Sequence, residues 1–201
     1  MRNLALIALG LALLPNPAVA QETGVIGERA IGTTPEYTPL TESEKLRLFI
    51  RRAVGPVAIG RAVAGGGIAQ ASGTPKEWRG GAEAYGKRVG NSLATHIVAK
   101  SIEYGGSELL HEDNRYMRSG ETAFGKRLKH VVGSAFIARN EAGREHFAYS
   151  RFGGAAGSAF ISRIWQPHST NSSGDAAVTF GITMATDIAG NFLHEFWGGR
   201  H

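Results

Sequence analysis

Apolar residues recur at helical spacing from residue 46 onward. Leu46, Phe49, Ile50, Ala53, Val54 and Val57 fall three or four positions apart, the period of one helix face. Thr41 to Glu44 reads Thr-x-x-Glu just ahead of that run, a capping box, so a helix is predicted to start there. Gly55-Pro56 is predicted to kink or end it, because proline lacks the N–H and its ring crowds the preceding turn. The stretch Gly60 to Gly73 is charge-free after Arg61 and rich in small residues. Thr74-Pro75-Lys76-Glu77 carries a second start signal: an N-cap, proline at the first position and glutamate at the third.

A long helix is predicted over 83–110, with Tyr85, Val89, Leu93, Ile97 and Val98 on one side. A polar turn over 111–120 follows. Further helices are expected over 122–139 and 147–165, then a polar loop over 166–174. A last helix is expected from Asp175 to a Gly198-Gly199 cap. The pattern therefore predicts an all-α fold, a compact bundle of about five helices. The alternative is a small outer-membrane β-barrel, because Val178, Phe180, Ile182 and Met184 alternate with Thr179, Gly181 and Thr183 as a half-buried strand does. The same alternation fails in the first two helical segments.

Glycine changes the picture of how these helices meet. The chain holds 28 glycines in 201 residues, about twice ordinary usage. Gly86, Gly90 and Ala94, the pair Gly153 and Gly157, and Gly181, Ala185 and Ala189 recur at every fourth position. Such stripes let helix backbones approach closely, here within the bundle or between copies in a homo-oligomer. Gly133 to Arg139 nearly repeats Gly157 to Arg163, and Tyr85-Gly-Lys-Arg-Val89 resembles Phe124-Gly-Lys-Arg-Leu128. These pairs are expected to be a reused helix-packing unit.

The N-terminal end sets the expected destination. Arg2, an apolar run from Leu4 to Leu14 and the small-x-small site Ala18-Val19-Ala20 form a secretory signal peptide over 1–20, too short to span a membrane. Residues 21–40 are expected to be a flexible lead-in, and 41–201 a single helical domain placed in the periplasm or at the outer membrane. There are no cysteines, which excludes disulfides, thiolate metal sites and lipidated cysteine. The formal net charge of +5 suits an anionic lipid partner. Nothing resembles a nucleic-acid recognition motif.

Three groups of residues carry candidate chemistry. His111, Glu112 and Asp113 stand in the densest polar cluster, 110–116, where general acid–base work or an oxygen-and-nitrogen metal site is conceivable. A helix-ending turn held by local charge pairs is the simpler account. Asp187, Asn191 and His194 share one face of the last helix and either join that chemistry or form a buried polar seam. Arg47, Arg51 and Arg52 on the first helix are placed to meet lipid phosphates, with Phe49 and Ile50 inserting. No zincin, nucleophile-elbow, Walker or dinucleotide signature is present, so neither a cofactor nor a metal is expected. His96, His130, His146 and His168 are scattered and read as structural.

The block Leu109-Leu-His-Glu-Asp-x-Arg-Tyr116, the step Tyr85 to Arg88 and the closing Glu195-Phe-Trp197 resemble a group of uncharacterised exported bacterial proteins, from about Pro39 onward. The resemblance implies one exported domain and carries no activity with it. The expected function is a non-enzymatic envelope protein that associates with a membrane or with itself. A periplasmic hydrolase or metal enzyme built on the His111 cluster is the rival, and a carrier of lipid or apolar ligands the third possibility.

Overall fold

A computed structural model describes residues 37–197 of the chain. The leader, most of the lead-in and the Gly198-Gly199 cap lie outside the described residues. The helices are α1 (Glu42–Val54), α2 (Pro56–Ala71), α3 (Ala82–Leu110), α4 (Phe124–Gly133), α5 (Tyr149–Ile161) and α6 (Ser173–Phe196). The all-α reading holds, and the chain is not a barrel. The residues that alternate between 178 and 184 sit inside α6. Their threonines fit a helix because the hydroxyls of Thr179 and Thr183 donate to the carbonyls four residues back, at 2.9 Å each.

α1 begins at the expected capping box, with the Thr41 N–H donating to Glu44 at 2.8 Å. It stops at Gly55, where a Cβ would run into the Arg51 carbonyl, and Pro56 opens α2. Together α1 and α2 make a broken rod antiparallel to α3, paired from Lys45–Glu108 through Phe49–Tyr104 to Gln70–Arg88. α5 runs antiparallel along another side of α3, from Ser150 at Gly106 to Trp165 at Asn91. α6 closes the bundle. Its Met184 packs with Ala135 and Ala155, and Phe152, Phe180 and Ile188 surround them.

The structure corrects three boundaries. The Thr74-Pro75 signal yields one 3₁₀ turn, Lys76–Trp78, and not a helix. Glu77, the residue needed for the cap, instead accepts from Ser169 at 2.9 Å. The helix expected over 122–139 ends at Gly133, and Ile137–Asn140 becomes a strand. That strand is the middle of a three-stranded antiparallel sheet: β1 (Glu112–Asp113), β2 (Ile137–Asn140) and β3 (Glu145–Phe147). The β2–β3 turn is held by the Asn140 side chain, which accepts from the N–H groups of Ala142 and Arg144, and by Gly143 at φ +74°. Thirdly, α5 gives way to a 3₁₀ turn after Ile161. The near-identical heptapeptides thus differ, one leaving a helix for a strand and the other completing α5, because tertiary context overrides local propensity.

Of the glycines in the every-fourth stripes only Gly157 meets a neighbouring helix closely, and Gly154, outside the stripes, comes closer. A Cβ at Gly154 would lie 2.5 Å from the Ala99 carbonyl oxygen, and one at Gly157 would lie 2.8 Å from Ile102 Cδ1. Gly86, Gly90, Gly153 and Gly181 have nothing within 4 Å of a Cβ among the described residues.

Candidate functional site

The structure brings His111, Glu112 and Asp113 to the wall of one cavity but engages each with a different partner. His111 ends α3 in the left-handed region at φ 51°, exposed, with Nδ1 2.9 Å from Glu141. Glu112 is buried and caps α5: its carboxylate accepts from the N–H of Tyr149 at 3.1 Å and of Ser150 at 2.9 Å, and from the Ser150 hydroxyl. A negative charge at a helix N-terminus is favourable. Asp113 pairs with Arg115 at 2.6 Å and accepts from Tyr37 Oη at 3.0 Å. Burial disfavours its charged form, but Arg115 and Tyr37 outweigh that and hold its pKa below the ordinary range. Each member is therefore engaged in a local structural contact. A Glu112→Ala chain is expected to lose about 1–2 kcal/mol, the usual cost of a lost N-cap, read as a lower urea midpoint.

Asp187 and His194 join neither that cluster nor each other. Asp187 lies 3.4 Å from the Lys100 amine, which also binds Glu103 at 2.7 Å. Burial opposes its ionisation, but Lys100, Arg151 and Arg61 keep its pKa low. His194 stands edge-on to the Tyr116 ring at 5.5 Å, and burial lowers its pKa. Asn191 donates to the Val131 carbonyl at 3.4 Å. Among the described residues no group of three His, Asp or Glu is placed to hold a metal ion.

The first helix divides as well. Arg47, Ile50 and Arg51 are exposed. Phe49 stacks on Tyr104 at 4.8 Å, inside the bundle. Arg52 turns inward, 3.8 Å from Glu103 and 3.5 Å from the Asn114 carbonyl. Burial lowers its pKa. A cavity of about 220 Å³ opens between α1, the C-terminal half of α3 and β1, with Arg52, Lys100 and Glu103 in its wall beside His111, Glu112 and Asp113.

Sequence reasoning passed over the strongest polar centre, Glu195. This residue is 1% exposed. Its carboxylate accepts from Ser119 Oγ at 2.6 Å, Tyr116 Oη at 2.8 Å and Arg127 Nε at 2.9 Å. Burial works against ionisation, and these donors overcome it to hold the pKa at about 2. Burial and the same carboxylate push the Tyr116 phenol up. An acidic group in the last turn of a helix is unfavourable by itself, so this arrangement depends on Arg127. Arg88 is the matching case: 1% exposed, it donates to the carbonyls of Thr74, Pro75 and Arg79 at 2.8 to 3.1 Å. The two Gly-Lys-Arg steps thus supply two arginine clamps, one on the 74–79 loop and one on the end of α6. The available signal was the repeat itself, with arginine fourth in both copies.

Comparisons with family models, curated proteins and solved structures find no match to this chain.

Proposed function

We propose that this chain is an exported, non-enzymatic envelope protein that binds an anionic membrane surface through α1. The observation that carries the reading is the exposed pairing of two stripes on that helix. Leu46, Ile50 and Val54 follow at every fourth position and remain 46%, 51% and 47% exposed. Arg47 and Arg51 stand beside them, also exposed. The apolar row continues into α2 at Val57 and Val63. Meanwhile Arg88, Glu103, Glu112 and Glu195 are buried. Apolar side chains at the surface beside cations match the two attractions that hold an interfacial helix, apolar burial and headgroup charge.

Flotation with vesicles rich in anionic phospholipid tests the reading. Binding is expected to weaken with salt. Each arginine near such a surface is worth about 1 kcal/mol, so Arg47→Ala with Arg51→Ala lowers partition by roughly 30-fold. Binding that ignores both salt and this pair would overturn the proposal. Among the described residues α6 alone is long and apolar enough to cross a membrane. Alkaline carbonate is expected to release the protein, and retention would sink a surface role.

A further inference from the structure

We propose that the cavity between α1, α3 and β1 binds a small primary ammonium compound with an apolar or aromatic body. The proposal is independent of the membrane reading, which uses the exposed side chains of α1. Five carboxylates line the cavity, those of Glu42, Glu103, Glu112, Asp113 and Glu141, against three cations, Lys45, Arg52 and Lys100. None of the three cations is free for an anion. Lys45 bridges Glu42 and Glu108, Lys100 bridges Glu103 and Asp187, and Arg52 faces Glu103. Arg61, Arg115 and Arg151 stand behind the wall, but so do Glu108 and Asp187, and the balance stays negative. A concave wall with surplus charge of one sign draws in the opposite sign.

The hydrogen bonds ask for donors as well. Among the described residues two buried side-chain polar atoms lack a partner, Asn114 Oδ1 and Glu108 Oε1. Both are acceptors, and both belong to this region: Asn114 is in the wall, and Glu108 is held by Lys45 of the wall. Asn114 is 8% exposed. Its amide is oriented by Ser150, whose hydroxyl gives its proton to Glu112 and so can only accept from Asn114 Nδ2, at 2.6 Å. Oδ1 is therefore the unpaired end, and a buried acceptor without a donor is costly. A primary ammonium group brings three donors and a positive charge together. The apolar sides are Leu40, Leu48 and the stacked Phe49 and Tyr104. They suit a greasy body, and aromatic faces attract a cation in their own right.

Calorimetric titration of the purified full chain at neutral pH with benzylamine and with benzyl alcohol tests this. The chain carries a formal net charge of +5, which opposes unspecific uptake of a cation, so saturable binding of benzylamine reports a local site. Benzylamine is expected to saturate at millimolar or lower concentration. Benzyl alcohol, the same shape without the charge, is expected to bind at least about tenfold more weakly, a difference of about 1.4 kcal/mol. Asn114→Leu removes the unpaired acceptor and is expected to weaken benzylamine by a similar factor. Ser107→Phe fills the cavity from the α3 side and is expected to abolish binding of both compounds. Equal binding of benzylamine and benzyl alcohol by the wild-type chain overturns the proposal, whatever the variants do. So does unaltered benzylamine binding in both variants, or no saturation by benzylamine up to about 10 mM, near −3 kcal/mol of binding free energy.

Discussion

A chain carrying Glu195→Ala is expected to lose about 3–5 kcal/mol of folding stability, the range seen when one partner of a buried ion pair is removed. The loss has two parts. Arg127 and Tyr116 lose the carboxylate oxygens that they bind at 2.9 and 2.8 Å. The tie between the segment after β1 and the end of α6 is also weakened, because Ser119 reaches α6 through the same carboxylate and only contacts such as Arg118 to the Glu195 carbonyl remain. The wild-type chain should show this dependence in its response to acid. The folded pKa of Glu195 is about 2, against 4.5 ordinarily. A depressed carboxyl pKa adds stability that is complete above the unfolded value and disappears as pH falls toward the folded one. The contribution is roughly 3 kcal/mol, lost between about pH 4.5 and about pH 2. Urea midpoints at about pH 5 and about pH 3 measure it. Asp113 and Asp187 are also depressed, so the informative quantity is the difference between wild type and Glu195→Gln. If the two chains lose stability in parallel on acidification, Glu195 is not the group that titrates.

The clearest sequence signals were those with a strictly local cause. The Thr41–Glu44 box, the Gly55-Pro56 break and the long apolar period of α3 each appear within a residue or two of where they were expected. The Thr74–Glu77 signal failed because its glutamate has a better partner 92 residues away in Ser169. Residues 137–139 read as helix because their apolar content suits either period, and β1 and β3, which pair with that strand, are distant or short. The candidate site was legible as a list of polar residues and not as an arrangement. His111, Glu112 and Asp113 are adjacent in sequence and border one cavity, but each is held by its own partner, one at a helix end by Glu141, one under α5 and one on Arg115. The blocks singled out for resemblance have a common property that only the fold reveals. Arg88 clamps the loop before α3, Glu112 caps α5, and Tyr116 meets Glu195. They are the joints of the bundle.

Two neighbouring glycines on α5 are expected to respond in opposite directions to a side chain. A Cβ at Gly154 would come within 2.5 Å of the Ala99 carbonyl oxygen and 3.2 Å of the Glu103 backbone nitrogen. Both are main-chain atoms of α3, which cannot swing aside as the end of a side chain does. Gly154→Val must push α5 off α3, and the expected loss is about 3 kcal/mol, the upper part of the range for overpacking. Its effect should spread, because Glu103 holds Lys100, and Lys100 holds Asp187 of α6. Gly153 stands one position earlier, exposed, with nothing within 4 Å of a Cβ among the described residues. There alanine brings only the gain in helix propensity, and Gly153→Ala is expected to stabilise by about 0.5–1 kcal/mol. The pair separates two explanations of the glycine pattern by thermal melting of the isolated chain. Close packing within the bundle requires the opposite signs. If Gly153→Ala also destabilises the chain, and does so more at higher protein concentration, the open stripe is a contact between copies and α5 faces a partner on that side.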